Sequence, residues 1–122
     1  MNINSVLDEL KKKYPGKKII LNDKHNLTEI LCEIDPTEKH SHYSIAVSVI
    51  DKTTPHFHGK TKETYEVIRG ELDLKIGDQT IHLREGESYI IDLGNIHTAT
   101  GNETWVKVTS RPGWTPQDYL KQ

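Results

Sequence analysis

The chain is poor in sulfur and in phenylalanine: one cysteine, one methionine and one phenylalanine occur among 122 residues. A single cysteine, Cys32, excludes an internal disulfide framework. It lies in an apolar run at 31–34, where a small buried hydrophobe is its ordinary role and no helix start or basic neighbour activates a thiol. Long apolar runs are missing too. Nothing approaches the ~20 residues of a membrane span. The opening residues 1–14 lack the apolar core of a secretory signal, so a cytoplasmic, reducing setting is expected. An excess of one charge is also missing, since 16 basic against 18 acidic residues leave a net charge of −2. That balance argues against electrostatic binding to nucleic acid or to an anionic membrane. No repeat, low-complexity tract or linker interrupts the chain, and its length suits one domain over 1–122 with one core.

Seven histidines stand out against this background. To place them, the chain is divided by its periodicity. Ile3, Leu7, Leu10 and Tyr14 recur at helical spacing, with Ser5 as the N-cap, Asp8 three positions on, and Pro15-Gly16 as the stop. Lys11, Lys12 and Lys13 suit the carbonyl end of that helix. Strands are predicted at 18–21, 27–34, 43–50, 63–69, 72–76, 80–83, 88–93 and 105–109. Gly70-Glu71, Gly77-Asp78 and Glu85-Gly86 mark turns between them. Pro112-Gly113 stops the last strand, and Thr115-Pro116 opens a short terminal helical turn. Short, closely spaced strands indicate an all-β sandwich or barrel.

His56 and His58 stand at i and i+2, which on a strand puts both on one face. Buried imidazoles need hydrogen-bond partners or a cation. Glu63 follows five residues later and supplies a carboxylate; by strand parity it shares a face with Tyr65, Val67 and Arg69. His97 closes a strand and glycine loop, Asp92 to Ile96, which can swing a fourth ligand into the same cavity. Tyr65 could offer its hydroxyl to a substrate, or be a core aromatic. Arg69 could pair with an anionic substrate, or be a solvated rim residue. His40 and His42 form a second pair in a polar loop-like stretch, His82 alternates toward solvent, and His25 lies in a turn. Trp105 and Trp114 read as packing anchors, the latter clamping the tail.

At these residues the chain resembles the cupin superfamily, whose two motifs run G-x5-H-x-H-x3–4-E-x6-G and G-x5-P-x-G-x2-H-x3-N. His56, His58, Glu63 and Gly70 match the first in register; Gly86, Gly94 and His97 match the second. Ile50 stands at the opening glycine, Asp92 at the proline, and Asn102 one residue past the last position. The resemblance covers about 45–108. It implies a single jelly-roll barrel (a double-stranded β-helix of six to eight strands) with its core at about 43–110, a short N-terminal helix and a short C-terminal helical turn. It also implies one divalent transition metal, Fe, Mn, Ni, Co or Zn, on His56, His58, Glu63 and His97. Four such ligands saturate tetrahedral zinc, whereas an octahedral ion keeps two positions open for substrate. The activity so implied is that of a metal-dependent enzyme, an oxygenase or a sugar-type isomerase or epimerase, acting on a small polar molecule. The alternative is a non-catalytic ligand- or metal-binding sensor. Cupins often pair, so a homodimer belongs with the same implication.

Overall fold

A computed structural model describes residues 1–22 and 27–121. His25, read above as a turn histidine, lies outside the described residues. A helix, α1 (Ile3–Lys13), precedes β1 (Lys18–Asn22), β2 (Glu29–Asp35), β3 (Ser44–Lys52), β4 (His56–Phe57) and β5 (Lys62–Arg69). There follow β6 (Leu72–Ile76), β7 (Gln79–Leu83), β8 (Ser88–Ile91), β9 (His97–Arg111), a 3-10 turn (Pro116–Asp118) and β10 (Leu120–Lys121). Most predicted strands appear within a residue or two of their expected limits, and all pairings are antiparallel.

The strand expected at 105–109 is instead the 15-residue β9, the spine of the molecule. Gly101 and Asn102 lie before the expected start at 105. The chain passes through them as an irregularity rather than a turn: Glu103 takes a positive φ of 46°, and the register against β3 shifts between Ile50 and Lys52. The part of β9 before this kink pairs with β6 and β4, and the part after it pairs with β3 and β5. One bent strand therefore joins two curved faces of an all-β jelly roll.

The two faces enclose an apolar core of Leu72, Leu74, Leu83, Ile91, Val106 and their neighbours. A second apolar cluster lies outside the sheet, where Val6 and Leu10 of α1 cover Ile30, Cys32, Val47, Val49 and Trp105. Burying each such aliphatic side chain stabilises by about 2 kcal/mol. The helix departs from the expectation in two details. Asn2, not Ser5, is the cap: its Oδ1 accepts the Ser5 N–H at 3.1 Å, which puts Ser5 inside the first turn. The buried stripe is centred on Val6 and Leu10, while Ile3 is exposed.

Because β2 and β3 alternate, their other faces point inward, and these carry Glu29, Ser44 and Ser48. Apolar residues outside, under α1, thus leave polar residues inside.

Candidate metal centre

Three strands meet where the polar interior begins. His56 opens β4 and faces His97, the first residue of β9, across the sheet; His58 follows β4, and Glu63 lies near the start of β5. Gly94, at a positive φ of 76°, shapes the loop before His97, and its N–H donates to the His58 carbonyl at 2.8 Å. Asp92, in place of the family's proline, opens this turn and pairs with Lys62 at 3.3 Å. His56, His58, Glu63 and His97 are all buried, and one ligand atom from each falls within 4.8 Å of the others.

The hydrogen bonds of the rings fix which atoms point inward. The Nδ1 of His56 lies 2.7 Å from the Thr54 carbonyl, that of His58 2.8 Å from the Asp118 carbonyl, and that of His97 3.0 Å from the Asn95 carbonyl. A carbonyl oxygen only accepts, so each Nδ1 carries the hydrogen. In a neutral ring Nε2 then bears a bare lone pair. His58 Nε2 and His97 Nε2 lie 3.0 and 3.5 Å from Glu63 Oε1. These three atoms are buried and make no hydrogen bond of good geometry. Lone pairs crowded on one point require a cation between them, either a proton or a metal ion. Burial and the neighbouring His97 hold His56 down at about 4, so it is neutral at physiological pH. Burial pushes Glu63 up, but the adjoining His58 and His97 rings outweigh it and hold the carboxylate at about 2. Burial also opposes a charge on His58, yet Glu63 raises it above the usual histidine value. Three imidazole nitrogens and one carboxylate oxygen, each ring oriented by a backbone carbonyl, fit a first-row divalent ion.

The cupin domain model matches residues 42–109, more than half of the chain. The chain belongs to the cupin family. No curated protein sequence matches it. Among solved structures, the Streptomyces nucleoside dehydratase Pac13 superposes with a TM-score of 0.74 at 12% identity over 88% of both chains. The oxalate decarboxylase of B. subtilis gives 0.75 at 14% identity, over 89% of this chain and 31% of that one. KdgF from Halomonas gives 0.64 at 15%, over 76% and 87%. At these identities the likeness is one of fold.

In this cupin the C-terminal tail completes the centre, which the sequence did not foretell. Asp118 accepts N–H bonds from Gly59, Lys60 and Thr61 at 2.9–3.1 Å while its own carbonyl accepts from His58. One residue therefore ties down both the His58 ring and the loop that follows it. Those N–H groups hold the Asp118 carboxyl below its ordinary value, against the effect of burial. Tyr119 stacks on His56 with ring centres 4.3 Å apart, and β10 pairs with β4. No local pattern links Asp118 to a histidine 60 positions earlier.

The centre opens into a cavity of about 240 Å³. Ile20, Leu31, Trp114 and Tyr119 form apolar walls, and Glu29 and Ser48 are polar points on them. No lysine or arginine lines it among the described residues. Tyr65 packs into the apolar core, the second of its two readings, and also lines the cavity, edge-on to His97 at 6.1 Å. Arg69 is not brought there. The pairing of β5 with β9 slips by one residue between Val67 and Arg69, a bulge that reverses the parity of everything after it. Arg69 therefore emerges outside, 4.4 Å over the Trp105 ring and in a two-bond ion pair with Glu9 at 2.8 and 3.0 Å. His40 pairs with Asp35 at 2.9 Å and lies tilted against the Tyr43 ring, His42 is exposed, and His82 pairs at the surface with Asp73 and Glu71. Trp114 anchors the tail through its backbone, to Ser44 and Thr37. Glu29, which the sequence left inside an apolar strand pattern, is a buried carboxylate on the cavity wall.

Proposed function

We propose that this cupin binds one divalent transition-metal ion through His56, His58, Glu63 and His97 and acts as an enzyme on a small polar molecule held in the cavity. The observation that carries the reading is the convergence of bare His Nε2 atoms on Glu63 at the wall of an open cavity. Solved cupin folds named as a dehydratase and a decarboxylase indicate that the fold hosts catalysis. The ion would supply Lewis-acid polarisation of a ligand oxygen, or open positions for substrate and O₂. This chain's residues then hold the ligand: Tyr65 offers a hydroxyl from one wall, and Trp114 and Tyr119 exclude water from another.

Metal analysis tests the site. The purified protein should carry close to one equivalent of a first-row ion, and replacing His56, His58 and His97 together by Ala should remove it while circular dichroism keeps its β signature. Full metal content in the triple variant would refute the assignment. Turnover that stops without O₂ selects oxygenation; turnover indifferent to O₂ selects isomerisation or epimerisation.

A further inference from the structure

Glu29 has no part in the metal centre, yet it is 7% exposed and lines the same cavity. Asn22 donates its side-chain N–H to Glu29 Oε1 at 2.9 Å, which fixes the carboxyl against the wall formed by β1 and β2. Across β2 and β3, where Glu29 faces Ile50 and Leu31 faces Ser48, the Ser48 hydroxyl lies on the same inner face. That hydroxyl is buried and lies within reach of the Glu29 carboxyl, though without a hydrogen bond of good geometry. A buried carboxyl and a buried unpaired hydroxyl, side by side on a cavity wall, form a polar patch that the fold itself does not need. The titratable groups around Glu29 are Glu63 and Tyr65 from β5, His97 from β9 and Tyr119 from the tail.

We propose that Glu29 is the proton-transfer residue of this site, with Asn22 positioning its carboxyl and Ser48 binding the ligand. The ligand would be an uncharged molecule with a hydroxyl, such as a polyol or a hydroxy-carbonyl compound. The inference rests on the metal-centre reading and deepens it. In the step, the Glu29 carboxylate takes the proton of a ligand hydroxyl; the O–H electron pair stays on the ligand oxygen, and Glu29 becomes the carboxylic acid. Glu29 returns the proton to that oxygen when the ligand leaves. The transfer exchanges no electrons and requires no oxidant. Burial pushes the Glu29 carboxyl up to about 7, against the pull of the Asn22 amide. A group that titrates there can serve as both base and acid near neutral pH.

A hydroxamic acid is a suitable probe, because it binds transition metals as its anion and must lose a proton to do so. Wild type and Glu29→Gln, each loaded with one equivalent of cobalt(II), would be titrated with acetohydroxamic acid at about pH 8 in buffers of different ionisation enthalpy. In the wild type the proton should stay in the site on Glu29, so that almost none reaches the buffer; Glu29→Gln should release close to one per probe bound. Infrared difference spectra of the wild type should show a new protonated-carboxyl band on binding, a readout that needs no variant. Equal proton release from the two proteins, or no such band, would overturn the role of Glu29 alone. A wild type that takes up no cobalt would overturn the metal centre, and the Glu29 role with it.

Discussion

Leu74 and Ser48 are almost equally shielded from water, 0% and 1% exposed, but they belong to opposite kinds of interior. Around β6, β7 and the kink of β9, apolar side chains meet one another and fill the space. Around the inner faces of β2 and β3 and the start of β9, the interior consists of Glu29, Ser44, Ser48, His56, Glu63 and His97 beside an open volume of about 240 Å³. Burial of apolar surface stabilises the first region, whereas burial of polar groups with few partners costs free energy in the second. The outer apolar cluster under α1 compensates, because it lets the same two strands be apolar on one side and polar on the other. Stability is thus concentrated away from the site, in the filled end of the jelly roll and beneath the helix.

This contrast is most open to attack at its extremes. Leu74→Ala should lower unfolding free energy by about 2–5 kcal/mol, the usual cost of a large-to-small change in a filled core. Ser48→Ala, at a position just as buried, should change it by less than about 1 kcal/mol, because the hydroxyl makes no well-formed hydrogen bond. Urea unfolding of the two variants gives the comparison directly. Similar losses from both would show that the cavity wall is packed like the core.

Glu29 gives a version of the same test that depends on pH. Its carboxyl sits at about 7 in the folded chain against 4.5 as its ordinary value. The unfolded chain therefore gives up this proton first, and the native state loses stability as pH rises from about 4.5 to 7. In chelator-treated protein Glu29→Gln should be more stable than wild type at about pH 8 by up to roughly 3 kcal/mol, and equal to it below about pH 4. Thermal melts at the two pH values decide it; a variant less stable at pH 8 would mean that the carboxylate is well solvated and supports the fold.

Much of the candidate metal centre was legible because it is local. A His-x-His pair needs only strand periodicity to share a face, and Gly94 before His97 signals the loop that returns the last ligand. The fold class was legible for a similar reason, since short strands punctuated by glycine turns lie in the sequence itself. The supports of the centre are not local. Asp118 reaches the loop after His58 only once the tail has crossed the barrel, and Glu29 becomes a cavity residue only once α1 has claimed the other face of β2. Asp118→Ala keeps the carbonyl that accepts from His58 but removes the carboxylate that holds the loop after it, and should raise the dissociation constant of the bound ion by about 10-fold. Competition with a chromogenic chelator measures this. An unchanged constant would show that His58 holds its geometry without the Asp118 carboxylate.

Arg69 marks where reading by parity fails, and it supplies the smallest effect. Strand alternation assigned it to the face of Glu63 and Tyr65, but parity survives only while the pairing stays in register, and the slip after Val67 turns Arg69 outward. It packs there on Trp105 and pairs with Glu9, whose carboxyl Arg69 and Lys13 hold down at about 2. A depressed carboxylate stabilises above its unfolded value and loses that contribution as pH falls toward 2. The pair is exposed and screened by solvent, so Arg69→Ala should cost only about 0.2–1 kcal/mol at neutral pH. That loss should shrink in high salt and vanish near pH 2 as Glu9 protonates. Metal content and hydroxamate affinity should be unchanged, because the side chain lies on the far side of the sheet from the cavity; a change in either would put Arg69 back inside.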